Sequence, residues 1–285
     1  MQSNNPVFRR SEEFQRTGAG GYGNPSTWST GQGQQDPYGA PQGYEGYQPP
    51  QAPAQTGRMT IDSVVQTTAI SLAVVVAFAA ATWIITPDLT STDALGPLYG
   101  ALMIGSLGAF ALSMVNSFKR EVSPALVLAF CALEGVALGA FSKVIQSVYG
   151  GEDNIVVQAV IGTFAAFAGT LAAYKFFEIK VGDKFRTFVI AAMFGMVALG
   201  LLEMVLSLFS AQLGLFGFGG IGLLFAIGGL VLGVFMLILD FDFVEQGVRN
   251  GLPEKESWRA SFALTVSLVW IYTNLLRILA ILNQD

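Results

Sequence analysis

The chain has 285 residues, 52% of them hydrophobic and only 12% charged, with 15 Lys and Arg against 20 Asp and Glu for a formal net charge of −5. It holds no histidine and one cysteine, Cys131, which excludes His-rich zinc sites, Ser-His-Asp triads, Cys-His pairs and any intramolecular disulfide. The charges sit in the gaps between long apolar runs, so lipid is the expected solvent and the bilayer the expected partner, with no nucleic acid.

Residues 1–57 are rich in Gly, Gln and Pro with interspersed Tyr, as in GAGGYGNPSTWSTGQGQQDPYGAPQGYEGYQPP, and contain no Leu or Ile. Such a segment cannot offset its ordering entropy, so residues 1–58 are expected to form a disordered cytoplasmic tail and residues 59–285 the folded domain. The tail lacks the continuous apolar stretch of a cleavable signal peptide, and the first hydrophobic run is expected to serve as an uncleaved anchor. Its tyrosines read either as binding stickers or as parts of a solvated linker.

Seven apolar stretches follow, each near the ~20 residues a helix needs to cross a bilayer. Their predicted bounds are 64–85, 98–118, 125–148, 155–177, 187–208, 220–241 and 260–282. Pro87 and Pro97 bracket the first connection, Pro124 suits the first turn of the third helix, and Gly182 and Pro253 fall in the fourth and sixth connections. The expected fold is an all-α membrane protein, a seven-transmembrane helix bundle with a disordered N-terminal tail.

Orientation follows from Lys and Arg placement. With a cytoplasmic N-terminus the inner segments carry Arg9, Arg10, Arg16 and Arg58, then Lys119 and Arg120, then Lys175, Lys180, Lys184 and Arg186, then Arg249, Lys255 and Arg259. The other side keeps Lys143 and Arg277 alongside Asp88, Asp93, Glu152 and Asp153. This asymmetry is a positive-inside signal, and an odd number of spans then puts the C-terminus outside.

Several residue patterns carry no chemistry. Cys131 lies within the third run and reads as a space-filling core residue. Gly217 to Gly222 spell G-x-G-x-x-G, but no βαβ unit surrounds them. The seventh span has no lysine, which removes a retinal Schiff base.

The informative residues are the ionisable groups inside the spans, because each costs ~2.5–3.5 kcal/mol at a helix centre on insertion scales and normally faces protein or water. Glu134 lies near the middle of the third span, flanked by Gly135 and Gly139, whose small-xxx-small spacing admits a neighbouring backbone. It reads either as a neutral acid donating an interhelical hydrogen bond or as a cation or proton ligand in a cavity. Glu203 and Arg277 both lie ~8–10 Å below the outer boundary and are expected to form an ion pair or gate latch between the fifth and seventh spans, with outward snorkelling of Arg277 as the alternative. Asp240, Asp242 and Glu245 crowd the end of the sixth span in LILDFDFVEQG. The helix dipole is negative there, so three acids call for a cation or for a basic partner such as Arg249 or Lys119, unless they form a solvated interfacial cluster.

The Gly/Tyr/Pro tail, the seven spans, the segment SPALVLAFCALEGVALGAFS, the acidic motif LILDFDF and the terminal NLLRILAIL together resemble the bacterial branch of the transmembrane Bax inhibitor motif family (YccA-like). The likeness covers about residues 60 to 282. It implies a bacterial inner-membrane location, a fold of six helices around a central last one, and similarity to pH-sensitive calcium leak channels. The family's aspartate on the sixth span matches Asp240, and its NLLR segment matches Asn274 to Arg277. The second aspartate, which bonds the first in the calcium-leak members, has no counterpart: alignment through NLLR puts Ser267 there, and a gapped alignment puts Ile271. The acid the resemblance implies on the second span is also missing, with Gly108 nearby.

The function expected on these grounds is a regulated passive cation pathway with calcium as the favoured ion. Asp240 and Glu134 would be its cation ligands, Glu203 and Arg277 its outer constriction, and Asp242 and Glu245 would belong to the inner gate. No resident cofactor is expected, and the oligomeric state is left open. A membrane-embedded interaction protein acting on membrane proteases or stress responses is the alternative. Catalysis is not expected: an intramembrane aspartyl protease needs two facing aspartates from different spans, and only the sixth span supplies any.

Overall fold

The computed structural model describes residues 57–88 and 95–284. Seven helices make up most of this: α1 Ile61–Ile85, α2 Leu95–Phe118, α3 Pro124–Tyr149, α4 Ile155–Phe176, α5 Asp183–Leu208, α6 Gly220–Arg249 and α7 Glu256–Leu282. Each is long and apolar enough to cross a bilayer, and the chain is a multi-pass membrane protein. Helix is the form such segments must take, because the hydrocarbon core offers no partner for a free backbone N–H or C=O. The expected disorder of the tail concerns residues 1–56, which lie outside the described residues.

The helices outrun the apolar runs wherever polar side chains serve the backbone. α1 starts at Ile61 because Thr60 and Ser63 form a reciprocal cap, each hydroxyl accepting the other's backbone N–H at 3.0 Å. α6 continues well past residue 241 because its polar residues pair along the helix: Gln246 donates to Asp242 at 2.7 Å and Arg249 pairs with Glu245. It stops at Gly251, whose φ of 65° lets its N–H reach the Val248 carbonyl while the Leu252 N–H returns to Gly247. Hydrophobicity ends at the membrane boundary; helicity ends one cap later.

The last helix is the central one. α7 packs along α1, α3, α4 and α6, whereas α2 packs along α3 and α5 along α6. Four helices therefore pack along α7 where the family resemblance implied six. α7 also buries the most polar side chains, including Ser257, Ser261 and Thr265 at 0% exposure. These join α1 in a continuous seam: Ser63 shares a 2.7 Å hydrogen bond with Ser257, Thr67 donates to the Ser257 carbonyl, and Ser71 meets Ser261 at 2.7 Å.

Glycines set the close approaches. At Gly135 and Gly139 of α3 the nearest atoms that a side chain would meet belong to the α1 backbone at Val75 and Ala79, as the small-xxx-small spacing predicts. Gly229 and Gly233 of α6 are filled in the same way by Asn274 and Ile271 of α7. Gly108 of α2 is covered by the Leu133 side chain, so the position near the missing second-span acid is a packing site.

Gly139→Val should push α1 off α3 and lower stability in detergent by ~1–3 kcal/mol, the usual cost of overpacking. Gly169→Val, where nothing lies within 4 Å, should leave the melting temperature within a degree or two of wild type by the same measure. Equal melting temperatures for the two variants would contradict the tight α1–α3 contact.

Candidate functional site

Asp240 sits on the face of α6 that meets α7. Its carboxylate accepts a 2.6 Å hydrogen bond from Ser267 on α7, and it has no cationic partner among the described residues. Ser267 is 1% exposed. The ungapped alignment is therefore the one the geometry follows: Ser267 stands opposite Asp240, while Ile271 is fully buried against Gly233. A serine in this place keeps the α6–α7 bond but contributes no second titrating proton.

The neighbouring acids of α6 have other duties. Asp242 points toward α5, where Arg186 reaches it at 3.2 Å. Glu245 points toward α4 and accepts a 2.7 Å bond from the Tyr174 hydroxyl, with Arg249 beside it on the same helix. Arg249 is one of the partners expected from sequence. Arg186 takes the role for which Lys119 was the other candidate. Three acids within six residues thus diverge to three neighbouring helices; Arg186 and Arg249 offset Asp242 and Glu245, while Asp240 is held by a hydroxyl alone.

Glu134 is half-buried in the middle of α3 and has no hydrogen-bond or ion-pair partner among the described residues. It lies on one i, i+4 ridge with Phe130 and Ser142, whose contacts are to α7: Phe130 packs edge-on against Phe262, and Ser142 shares a 2.6 Å bond with the Tyr272 hydroxyl. Glu134 therefore approaches α7 from the α3 side. Ser267 is ~140° around α7 from both Phe262 and Tyr272, so α7 stands between Glu134 and Asp240. Two grooves of about 290 and 350 Å³ indent the bundle, and neither is lined by either carboxyl.

Glu203 and Arg277 are buried as the depth argument requires, at 6% and 9% exposure, but they form no ion pair with each other. The expected direct pair is replaced by a shared hold on the α5–α6 connection. Glu203 accepts the backbone N–H groups of Leu213 and Gly214 at 2.9 and 3.0 Å. Arg277 donates to the Leu215 carbonyl at 2.8 Å and stacks over the Phe216 ring, 5.5 Å from its centroid. The reason is geometric: equal depth fixes height along the helices but not azimuth, and the intervening loop offers free backbone groups that both charges can satisfy. Arg277 extends to that connection, as outward snorkelling would have it, but its head is buried beneath the loop rather than exposed.

Lys143, which in sequence is only an outer-side charge, has a structural task. Its side chain is 7% exposed and its ammonium binds the Trp83 and Thr86 carbonyls at 2.9 and 2.5 Å and the Asp88 carboxylate at 3.0 Å. It thus serves the unpaired C-terminal carbonyls of α1. No three Asp, Glu or Cys side chains among the described residues converge closely enough to hold a metal ion.

Glu203→Ala should strip two part-buried N–H groups of their acceptor, costing about 1 kcal/mol because water can reach them in part, and speed hydrogen exchange in residues 209–219. The charge-swapped pair Glu203→Arg with Arg277→Glu should be no more stable than the worse single variant, because each charge answers to the loop backbone. Restored stability in the swap would reinstate the direct pair.

A comparison with curated proteins returns no match. The family model described as Bax inhibitor 1 like matches residues 5–284, nearly the whole chain and every element described above. On that match, and with seven spans arranged about a polar last helix, the chain belongs to the Bax inhibitor 1-like family.

Proposed function

We propose that this protein is a regulated passive cation pathway, with calcium as the favoured ion, in a bacterial inner membrane with the N-terminus cytoplasmic. The observation that carries the reading is Asp240: a carboxylate within a transmembrane helix, held to the central helix by one serine hydroxyl while its neighbours Asp242 and Glu245 have cations of their own. An acid with so light a hold is free to exchange its partner for a hard cation such as calcium, which takes oxygen ligands from carboxylates, carbonyls and water. Separation of the Asp240–Ser267 contact would open the α6–α7 interface from the inner side. Glu134 would act as a second carboxyl on the far side of α7, and the Glu203–loop–Arg277 clamp would close the outer end. Catalysis is not part of the reading, since Ser267 occupies the place where an aspartyl protease would need its second acid.

The alternative, a membrane-embedded interaction protein without transport, draws support from a different observation. Glu203, Asp242 and Glu245 all have ordinary partners, and the two grooves are apolar and bypass the acids. In that case the tail and the loops on the basic face would carry the function.

Purified full-length protein in liposomes should pass calcium, and Asp240→Asn should reduce the flux by about tenfold, a change in barrier of ~1.4 kcal/mol. Ser267→Asp should place two carboxyls within hydrogen-bonding reach, so that they share a proton and the pH dependence of the flux differs from that of wild type. Flux indistinguishable from empty liposomes would remove the pathway. Deletion of residues 1–57 that abolishes a cellular phenotype and leaves flux intact would favour the interaction reading.

A further inference from the structure

Residues 57–60 run into α1 as a short strap laid across the α6–α7 connection. The Met59 N–H donates to the Leu252 carbonyl at 2.8 Å, the Glu254 N–H donates to the Gly57 carbonyl at 2.6 Å, and Arg58 faces Pro253 in an antiparallel bridge. The pairing is between main chains, as at a sheet edge. It ties the start of α1 to the short segment that joins α6 to α7.

Met59 anchors the strap. It is 2% exposed, although Arg58 and Thr60 on either side of it are exposed. It fits because residue 247 of α6 is glycine: a side-chain carbon there would meet the Met59 sulfur at 2.8 Å. The buried cluster that Met59 joins spans the α6–α7 interface. Leu237 and Phe241 of that cluster stand on either side of Asp240 along α6, and Leu264 and Leu268 stand on either side of Ser267 along α7. A side chain from outside both helices thus completes the core that surrounds their contact. Residues 1–56 continue directly from Gly57, so the strap is also where that segment joins the bundle.

We propose that residues 57–60 are a latch on the α6–α7 interface, seated by Met59 and released by traction on the segment that precedes it. Seated, the latch pins the α6–α7 connection to the start of α1 and keeps Asp240 against Ser267. Drawn off, it takes Met59 from beside Gly247, breaks both main-chain bonds and frees that end of the interface to part. What the latch controls rests on the proposed cation pathway; the latch itself does not.

The full chain carrying Gly57→Cys with Glu254→Cys locks the latch, because a side-chain carbon at residue 57 stands 3.8 Å from the Glu254 Cβ, close to the ~3.8 Å mean separation in a disulfide. Met59→Ser and Gly247→Val release it from its two sides. Hydrogen exchange in detergent reads the latch without reference to transport. Release should speed exchange by about tenfold in residues 237–247 as well as in 57–60 and 250–256, and oxidation of the cysteine pair should slow it in the same three segments. Folded release variants that change only the strap and the connection overturn the latch, since a local clasp would do no more. In calcium-loaded liposomes release should raise the flux by about tenfold, and oxidation should lower it until the disulfide is reduced. Equal flux from locked, reduced and released protein also overturns the latch. Absence of flux from every protein, wild type included, instead removes the pathway, and the exchange pattern then decides the latch alone.

Discussion

The bundle depends on one helix being solvated by protein where the others face lipid. Between hydrocarbon-exposed helices there is no hydrophobic gain in association, because lipid tails are as apolar as leucine; close packing and interhelical hydrogen bonds must do it. α7 supplies both. Its Ser257 and Ser261 bond α1, its Tyr272 bonds α3, its Ser267 and Trp270 bond α6, and its Arg277 bonds the α5–α6 connection. Each such bond is worth only about 0.6 kcal/mol on average and up to ~1.7, so their main effect is register. A slide of α7 by one turn would strand several buried hydroxyls at once, and that cost is what fixes the heights of its neighbours.

α5 shows the opposite arrangement. It packs along α6 and buries few side chains, with Glu203 and Val189 as its buried residues. Polar contacts near its two ends hold it: Arg186 to Asp242 at one, Glu203 to the loop backbone at the other. A helix attached mainly at its ends can tilt at low cost if either attachment is released, whereas α7 cannot move without breaking contacts on four sides.

The number and extent of the spans are legible in the sequence because ~20-residue apolar runs have few other uses. The Gly135–Gly139 contact is legible too, since the spacing of small residues states where a backbone approaches. Azimuth is harder to read. Ser63, Thr67 and Ser71 on α1 repeat every four residues, as do Ser257, Ser261 and Thr265 on α7; those two matching stripes are the signal in the sequence that pairs the helices. The Glu203–Arg277 pair fails for the same reason, because position along a helix gives depth and leaves direction open. The ends of α6 and α1 lie beyond the limit of hydrophobicity because local polar pairing carries both helices further. Asp240 is legible as an acid inside the sixth span, whereas its partner position emerges from family resemblance rather than from periodicity.

The placement of the two least-held carboxyls constrains any mechanism that uses both. Glu134 meets α7 from α3 between the Phe262 and Tyr272 levels, and Asp240 meets it from α6 at Ser267, within the same short stretch of chain. They lie on different sides of one helix at similar height. A straight file of carboxylates is therefore not what this fold builds, and a cation passing from one acid to the other would have to round α7. Rotation of that helix changes both environments together: it withdraws Ser267 from Asp240 as it carries the Phe262–Tyr272 face past Glu134. For the proposed pathway the central helix is consequently the coordinate on which opening would be read, and its polar seam with α1, which resists such rotation at Ser257 and Ser261, would set the barrier to opening.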